Sequence, residues 1–291
     1  MIAASVDDIA PLIRDGMIIG IGGWGSRRKP LALVRQIVRS GARDLRIVSF
    51  GGPDVGILCA TGQAAEVVHA FVSLDSIAVD PHFAAARQSG AVRSVEYDEG
   101  MLISGLRAAS RRLPFEVTRA GAGSDAVTRN SGIRTIASPY EQPGEDAELL
   151  VAMPAIPLDL ALLHLDRADA AGTAICLGPD LFFDDLLAGA AHRTVVSVEK
   201  VVDTARLLDG ATPVASVLNR TLTDVCVEAP GGAGFTAHPP FAPRDERMQR
   251  AYVSAAADAA EWSRFRARFI DVDEQTYRAE VADLHQAQEE R

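Results

Sequence analysis

Residues 17–30 read MIIGIGGWGSRRKP, and the fold turns on them. Met17-Ile18-Ile19-Gly20-Ile21 has the length and the β-branched content of a buried strand. Gly22-Gly23-Trp24-Gly25 follows as a tight turn, and residues 31–39 resume at helical spacing, with Gly41 placed as a C-cap. Strand, glycine turn and helix form the unit of a parallel sheet wrapped by helices. The unit recurs downstream. Residues 45–50 (LRIVSF) are a second strand, ended by Gly51-Gly52-Pro53. Residues 67–72 are a third strand and 92–97 a fourth, and a helix over 98–112 follows directly.

Residues 120–144 turn polar and rich in Gly, Ser and Pro, which predicts a long surface excursion beside a site. An apolar run resumes over 147–153, and strands are expected at 194–198 and 225–228. Residues 244–262 read as one helix, and 275–291 as a charged, peripheral one. No internal repeat interrupts the pattern. The expectation is a single α/β domain over residues 1–291. It is built on an open parallel sheet, with a helical C-terminal extension from about residue 244.

Thirty-nine acidic against 29 basic side chains give a net charge of −10, which argues against a nucleic-acid partner because phosphate neutralisation needs a basic face. No run approaches the roughly 18 apolar residues of a membrane span. The first residues lack the basic and apolar regions of a secretory signal, and Ser5 followed by Asp8 reads as a helix cap instead. Cys59, Cys176 and Cys226 stand too far apart for metal-ligand spacing and read as buried thiols in a reducing compartment. A cytoplasmic protein is expected. The six histidines form no H-E-x-x-H motif, and no G-x-S-x-G elbow is present, so neither a metal centre nor a serine hydrolase triad is expected.

Residues 20–25 match G-x-G-x-x-G, the dinucleotide fingerprint. Three features speak against that use. Trp24 sets a bulky indole where a pyrophosphate would approach, the next strand ends in Ser49-Phe50-Gly51 with no acid for a ribose, and Pro30 delays the helix. A turn presenting backbone N–H groups to another anion or oxyanion fits better, with close packing as the alternative. Ser26-Arg27-Arg28-Lys29 is either a clamp for phosphate or carboxylate groups or a solvated basic patch. Asp98-Glu99 opens a helix at a strand end, the edge where open α/β sheets bind ligands. Asp98 is a good N-cap and Glu99 complements the helix dipole; equally, a carboxylate at that edge is placed to accept a proton.

Several blocks in order carry a resemblance. They are residues 20–30 (GIGGWGSRRKP), 49–54 (SFGGPD), 71–76 (FVSLDS), 98–102 (DEGML), 164–172 (HLDRADAAG) and 227–235 (VEAPGGAGF). Together they resemble the α subunit of class I coenzyme A transferases. The W-G-S-R-R-K-P and D-E-G-M blocks are similar to one branch, the α subunits of steroid ring-cleaving hydrolases. The likeness spans roughly residues 5–270. Two segments depart from it: Gly232-Ala233-Gly234 stands where the family has glycine-alanine-histidine, and residues 124–134 are altered.

The resemblance implies a transferase-like α/β fold, a separate β subunit in an αβ or α₂β₂ assembly, and an acyl-CoA site where the subunits meet. It implies that Glu99 is the base that works with water on a cyclohexenone carboxyl-CoA thioester. The implied substrate-binding set is Gly22, Gly23, Trp24, Gly25, Ser26, Arg27, Arg28, Gly51 and Gly52. CoA arrives as part of the substrate, with no further cofactor. The alternative is a genuine CoA transferase, whose attacking glutamate lies on the partner subunit.

Overall fold

The computed structural model describes residues 5–140, 147–211 and 215–289. A 3₁₀ helix at Val6–Leu12 is the first described element, and Ser5 and Asp8 cap it reciprocally, as their spacing predicts. Then β1 (Ile18–Ile21), α1 (Leu31–Ser40), β2 (Leu45–Gly51), α2 (Pro53–Ala60), β3 (Ala64–Val72), α3 (Pro81–Ser89), β4 (Arg93–Glu96) and α4 (Glu99–Ser110) alternate. A small antiparallel sheet follows: β5 (Phe115–Thr118), a one-turn α5 (Asp125–Arg129), β6 (Arg134–Ala137) and β7 (Leu149–Pro154), in the order β5-β7-β6. The chain returns to the main sheet through β8 (Leu158–Ala168), β9 (Ala174–Cys176), α6 (Asp184–Ala190), β10 (Ala191–Val201), β11 (Ser216–Leu218) and β12 (Val225–Glu228).

Among the described residues, seven strands run parallel in the order β12-β10-β8-β1-β2-β3-β4, while β9 pairs antiparallel with the end of β8 and β11 antiparallel with β9. From β1 the strands proceed one way to β4; from β8 they proceed the other way to β12. The order therefore reverses between β1 and β8, which places the switch-point crevice at their carboxyl ends. Period-2 alternation gives each strand two buried faces. Ile19, Ile21, Ile47, Val67, Leu160 and Leu162 face one core, while Val48, Val68, Ala161, Leu163 and Val196 face the other.

The region predicted as one helix over 244–262 is two, α7 (Glu246–Ala255) and α8 (Ala259–Phe269). The break has a local cause: the Asp258 carboxylate accepts hydrogen bonds from the N–H groups of Ala260 and Glu261 and starts a new helix. The last helix, α9 (Glu274–Glu289), is not wholly peripheral. Glu274 pairs with the buried Arg35 of α1 at 2.6 and 2.7 Å, and Tyr277 lies 3.7 Å from the same guanidinium. The polar stretch over 120–144 is a surface excursion in part. It also carries β6 and α5, and residues 141–144 of it lie outside the described residues. No helix among the described residues is long and apolar enough to cross a membrane.

Candidate active site

The glycine turn after β1 is held from within. Gly22 donates its N–H to Leu162, Gly23 to the Asp184 carboxylate, Trp24 to Arg27 and Gly25 to Phe50. Gly52 donates to Asp54. These N–H groups, expected as donors toward an anion, are engaged with protein acceptors. Gly23 sits at φ +72°, and a Cβ there would lie 2.4 Å from the Arg27 carbonyl. A Cβ on Gly52 would lie 1.9 Å from the Gly25 carbonyl, so the loops after β1 and β2 touch backbone to backbone. Gly51 closes against Val72 and the Phe71 carbonyl in the same way. The glycines bring the two loops together and so aim the one large side chain between them.

That side chain is Trp24. Its indole Nε1–H donates to Oε1 of Glu99 at 3.0 Å, although 75 residues separate them. Phe71, near the end of β3, packs edge-on against the indole at 4.7 Å, and the Arg27 guanidinium lies 4.8 Å from the ring. Glu99 is the first residue of α4, and Asp98 before it caps the helix by accepting from the Gly100 N–H at 2.9 Å. Glu99 is half-buried and Asp98 exposed. A cleft of about 970 Å³ opens beside Glu99, lined also by Phe71, Arg87, Tyr97, Ser124 and Arg129. The structure therefore joins Trp24 and Glu99 across the carboxyl ends of β1 and β4, beside an open cavity.

The cationic cluster divides. Arg27 is exposed and pairs with Asp75 at 3.0 Å. Arg28 is buried, donating to Asp184 and to the His164 carbonyl, both at 2.8 Å. Lys29 is buried against Ser49 at 2.8 Å and Asp54 at 3.3 Å. Ser26 is buried and donates to Gln249. Burial lowers the Lys29 ammonium from its usual range despite Asp54. Two of the three cations thus tie the turn to the core, away from solvent; Arg27 is the one on the outside.

A second polar constellation lies at the carboxyl ends of β8 and β10. His164 pairs in register with Ser197, and Glu199 projects from the same face two residues on. His164 Nε2 is 3.0 Å and His238 Nδ1 3.3 Å from Glu199 Oε1, and His238 Nε2 is 3.0 Å from Asp166 Oδ1. His164 Nδ1 meets Ser197 Oγ at 2.9 Å, and the Gly231 N–H donates to both Glu199 oxygens. Burial alone would lower His238, but Asp166 and Glu199 outweigh it and hold the imidazole above its ordinary value. Burial would raise Glu199, yet hydrogen bonds from His164, His238 and the Gly231 N–H bring it well below the carboxylate range. His164 stays below its usual value through burial. The three groups have the donor chemistry of a metal site, and their ligand atoms lie within 4.8 Å of one another. Here His164 and Glu199 are hydrogen-bonded to protein, and His238 stands within ion-pair distance of Glu199 and Asp166. Sequence reasoning missed this cluster because β-register and a distant loop assemble it; the signal within reach was the HLDRAD block carrying His164 and Asp166.

Known proteins resemble this chain along most of its length. The cholesterol ring-cleaving hydrolase IpdA subunit of Mycobacterium tuberculosis strain H37Rv is 48% identical over 279 residues, 95% of this chain and 96% of that protein. The subunit of the same name from Rhodococcus jostii is 46% identical over 287 residues, 98% and 97% of the two. Among solved structures, glutaconate coenzyme A-transferase from Acidaminococcus fermentans superposes with a TM-score of 0.85 at 22% identity, over 96% of this chain and 92% of that one, and so shares the fold. The family model for coenzyme A transferase matches residues 3–229, which carry all seven parallel strands and both glycine loops. The expected fold class is therefore the observed one, and the chain belongs to the coenzyme A transferase family.

Proposed function

We propose that this chain is the α subunit of a steroid-catabolic hydrolase, which opens the last ring of a cyclohexenone carboxyl-CoA thioester by water addition and C–C cleavage. Glu99 is its general base. The observation that carries this reading is the half-buried Glu99 carboxylate on the wall of an open cleft, in a chain nearly half identical to subunits named for ring cleavage.

The chemistry runs as follows. Glu99 takes a proton from water, and the hydroxide adds to the β-carbon of the enone. The electron pair moves into the thioester enolate, whose carbon takes the proton back from Glu99. Glu99, ionised again, takes the proton of the new hydroxyl, retro-aldol cleavage breaks the ring C–C bond as the hydroxyl becomes a ketone, and the released enolate carbon takes that proton from Glu99. A base so placed contributes about 10²–10⁴-fold. The N–H groups of the glycine turn are turned inward, so this reading places the enolate's donors outside that turn. Arg27, exposed over the Trp24 ring, is the arginine of its cluster suited to a substrate carboxylate or CoA phosphate. The acyl-CoA site is completed by a β subunit in an αβ or α₂β₂ assembly, and CoA enters as part of the substrate, with no separate cofactor.

The test is turnover of such a thioester by the co-expressed pair, with and without Glu99→Gln. The variant is expected to assemble, bind the thioester and lose about 10²-fold or more in kcat. Normal turnover would overturn the assignment of the base. Trapping of a glutamyl-CoA thioester on the partner subunit would establish the transferase alternative instead.

A further inference from the structure

We infer that Trp24 is a positioning residue for Glu99: its indole N–H fixes one carboxylate oxygen and leaves the other to take the proton. The inference rests on Glu99 as the base and adds to that reading the device that orients it.

Four observations converge on it. Among the described residues, the indole Nε1–H at 3.0 Å is the one hydrogen-bond donor to the Glu99 carboxylate. An unrestrained glutamate at a helix start samples several rotamers, and a single directional bond selects one. The indole is itself held. Trp24 and Arg27 exchange backbone hydrogen bonds at 3.0 Å in each direction, which makes the intervening Gly25-Ser26 a tight reversal. Phe71 packs on one edge of the ring, and Arg27 stands over it, anchored by Asp75, which Arg244 also contacts at 3.3 Å. A cation over an indole draws density from the ring and strengthens the N–H as a donor.

The geometry also explains the sequence of the turn. Gly23 and Gly25, on either side of Trp24, have φ of +72° and +56°. Those angles throw the indole sideways toward α4 while the flanking backbone stays packed against β2. A turn made only for close packing has no need of a tryptophan, nor of an indole N–H directed at a carboxylate.

The proton balance is explicit. A water O–H bond breaks, an O–H bond forms on Glu99 Oε2, and the hydroxide adds to carbon. Oε1 keeps its hydrogen bond from Trp24 throughout. Without that bond the carboxylate turns, and fewer of its conformers face the water.

The experiment is a double-mutant cycle on the assembled α–β enzyme, with the ring-bearing acyl-CoA as substrate. The variants are Trp24→Phe, Glu99→Gln and both together. Trp24→Phe removes the N–H and keeps a ring; kcat is expected to fall about tenfold or more with KM within about threefold, because a hydrogen bond to a charged group is lost. In the Glu99→Gln background the same change should cost less than about twofold, since no base remains to be oriented. Trp24→3-benzothienylalanine, which replaces N–H by sulfur at nearly the same shape, should reproduce the kcat loss even if phenylalanine disturbs the turn. Wild-type kcat in the benzothienyl enzyme, or an equal loss with and without Glu99, would overturn the positioning role. If Glu99→Gln alone turned over normally, the base assignment would fail first; if Glu99→Gln is slow and both Trp24 variants are normal, only this inference fails.

Discussion

Glu99 and Glu199 are both glutamates at carboxyl ends of the same sheet, and they are built for opposite ends. Glu99 receives one N–H, from Trp24, and borders an open cleft. Glu199 receives two imidazole groups and a backbone N–H, and its affinity for a proton is driven far down. A carboxylate saturated with donors has no lone pair to offer a reacting water; one held by a single bond does. What separates the proposed base from a structural anion here is the number of donors around it and its access to the cleft, since residue type and sheet edge are shared. The same contrast divides the cations, with Arg28 spent inside on Asp184 and Arg27 left outside.

The contrast can be tested at graded depth. The largest effect is expected at the saturated site. Glu199→Ala strips the partner of His164 and His238 and should cost about 3–5 kcal/mol of stability, read as a lowered urea midpoint. A loss below about 1 kcal/mol would show that the cluster does not hold the fold. Next comes the open site. Glu99→Gln should lower kcat by about 10²-fold while the urea midpoint stays at the wild-type value, the reverse of the Glu199 pattern.

A third measurement uses pH. Burial lowers His238 in the folded protein, but Asp166 and Glu199 outweigh it and raise the imidazole. Its contribution to stability is therefore fully present below about pH 6.5, the unfolded value, and is lost as pH rises through the folded value. The stability gap between wild type and His238→Gln should be about 1–3 kcal/mol in weak acid and should narrow in alkali. A gap that widens with pH would mean that His238 is neutral in the fold. The smallest effect is expected at Asp98→Asn. Asparagine caps helices about as well as aspartate, so stability should move by less than about 0.5 kcal/mol, and kcat should stay within a few-fold. Were Asp98→Asn the more damaging of the pair, base and cap would have to exchange roles.

The first two strands were legible because each is a short apolar run closed by glycine. Met17-Ile18-Ile19-Gly20-Ile21 became Ile18–Ile21, and residues 45–50 became Leu45–Gly51. Glu99 was legible as a helix-start carboxylate at a strand end, and Asp98 as its cap. The central strand Leu158–Ala168 escaped notice because His164, Asp166 and Arg167 interrupt its apolar run. Those polar groups are tolerated there because register brings Ser197 and Glu199 to meet His164. Burial of Arg28 and Lys29 was equally invisible, since their partners Asp184 and Asp54 are set by tertiary packing. A run of three cations looks alike in sequence whether it faces water or the core. The Trp24–Glu99 bond joins two recognisable motifs, but nothing local to either indicates that they meet.

The Arg35–Glu274–Tyr277 contact bears on how the chain is made. Arg35 belongs to the first long helix to leave the ribosome, and the carboxylate and aromatic ring that enclose it are encoded some 240 residues later, Glu274 lying 239 positions on. Until then the nascent sheet carries an unpaired guanidinium on the face that must become core, where an uncompensated charge is costly. The parallel strands can form early, yet that side of the molecule stays open until its last helices arrive. Ribosome-stalled chains ending before residue 274 should therefore be cut by protease around α1, whereas chains that have released residue 277 should resist.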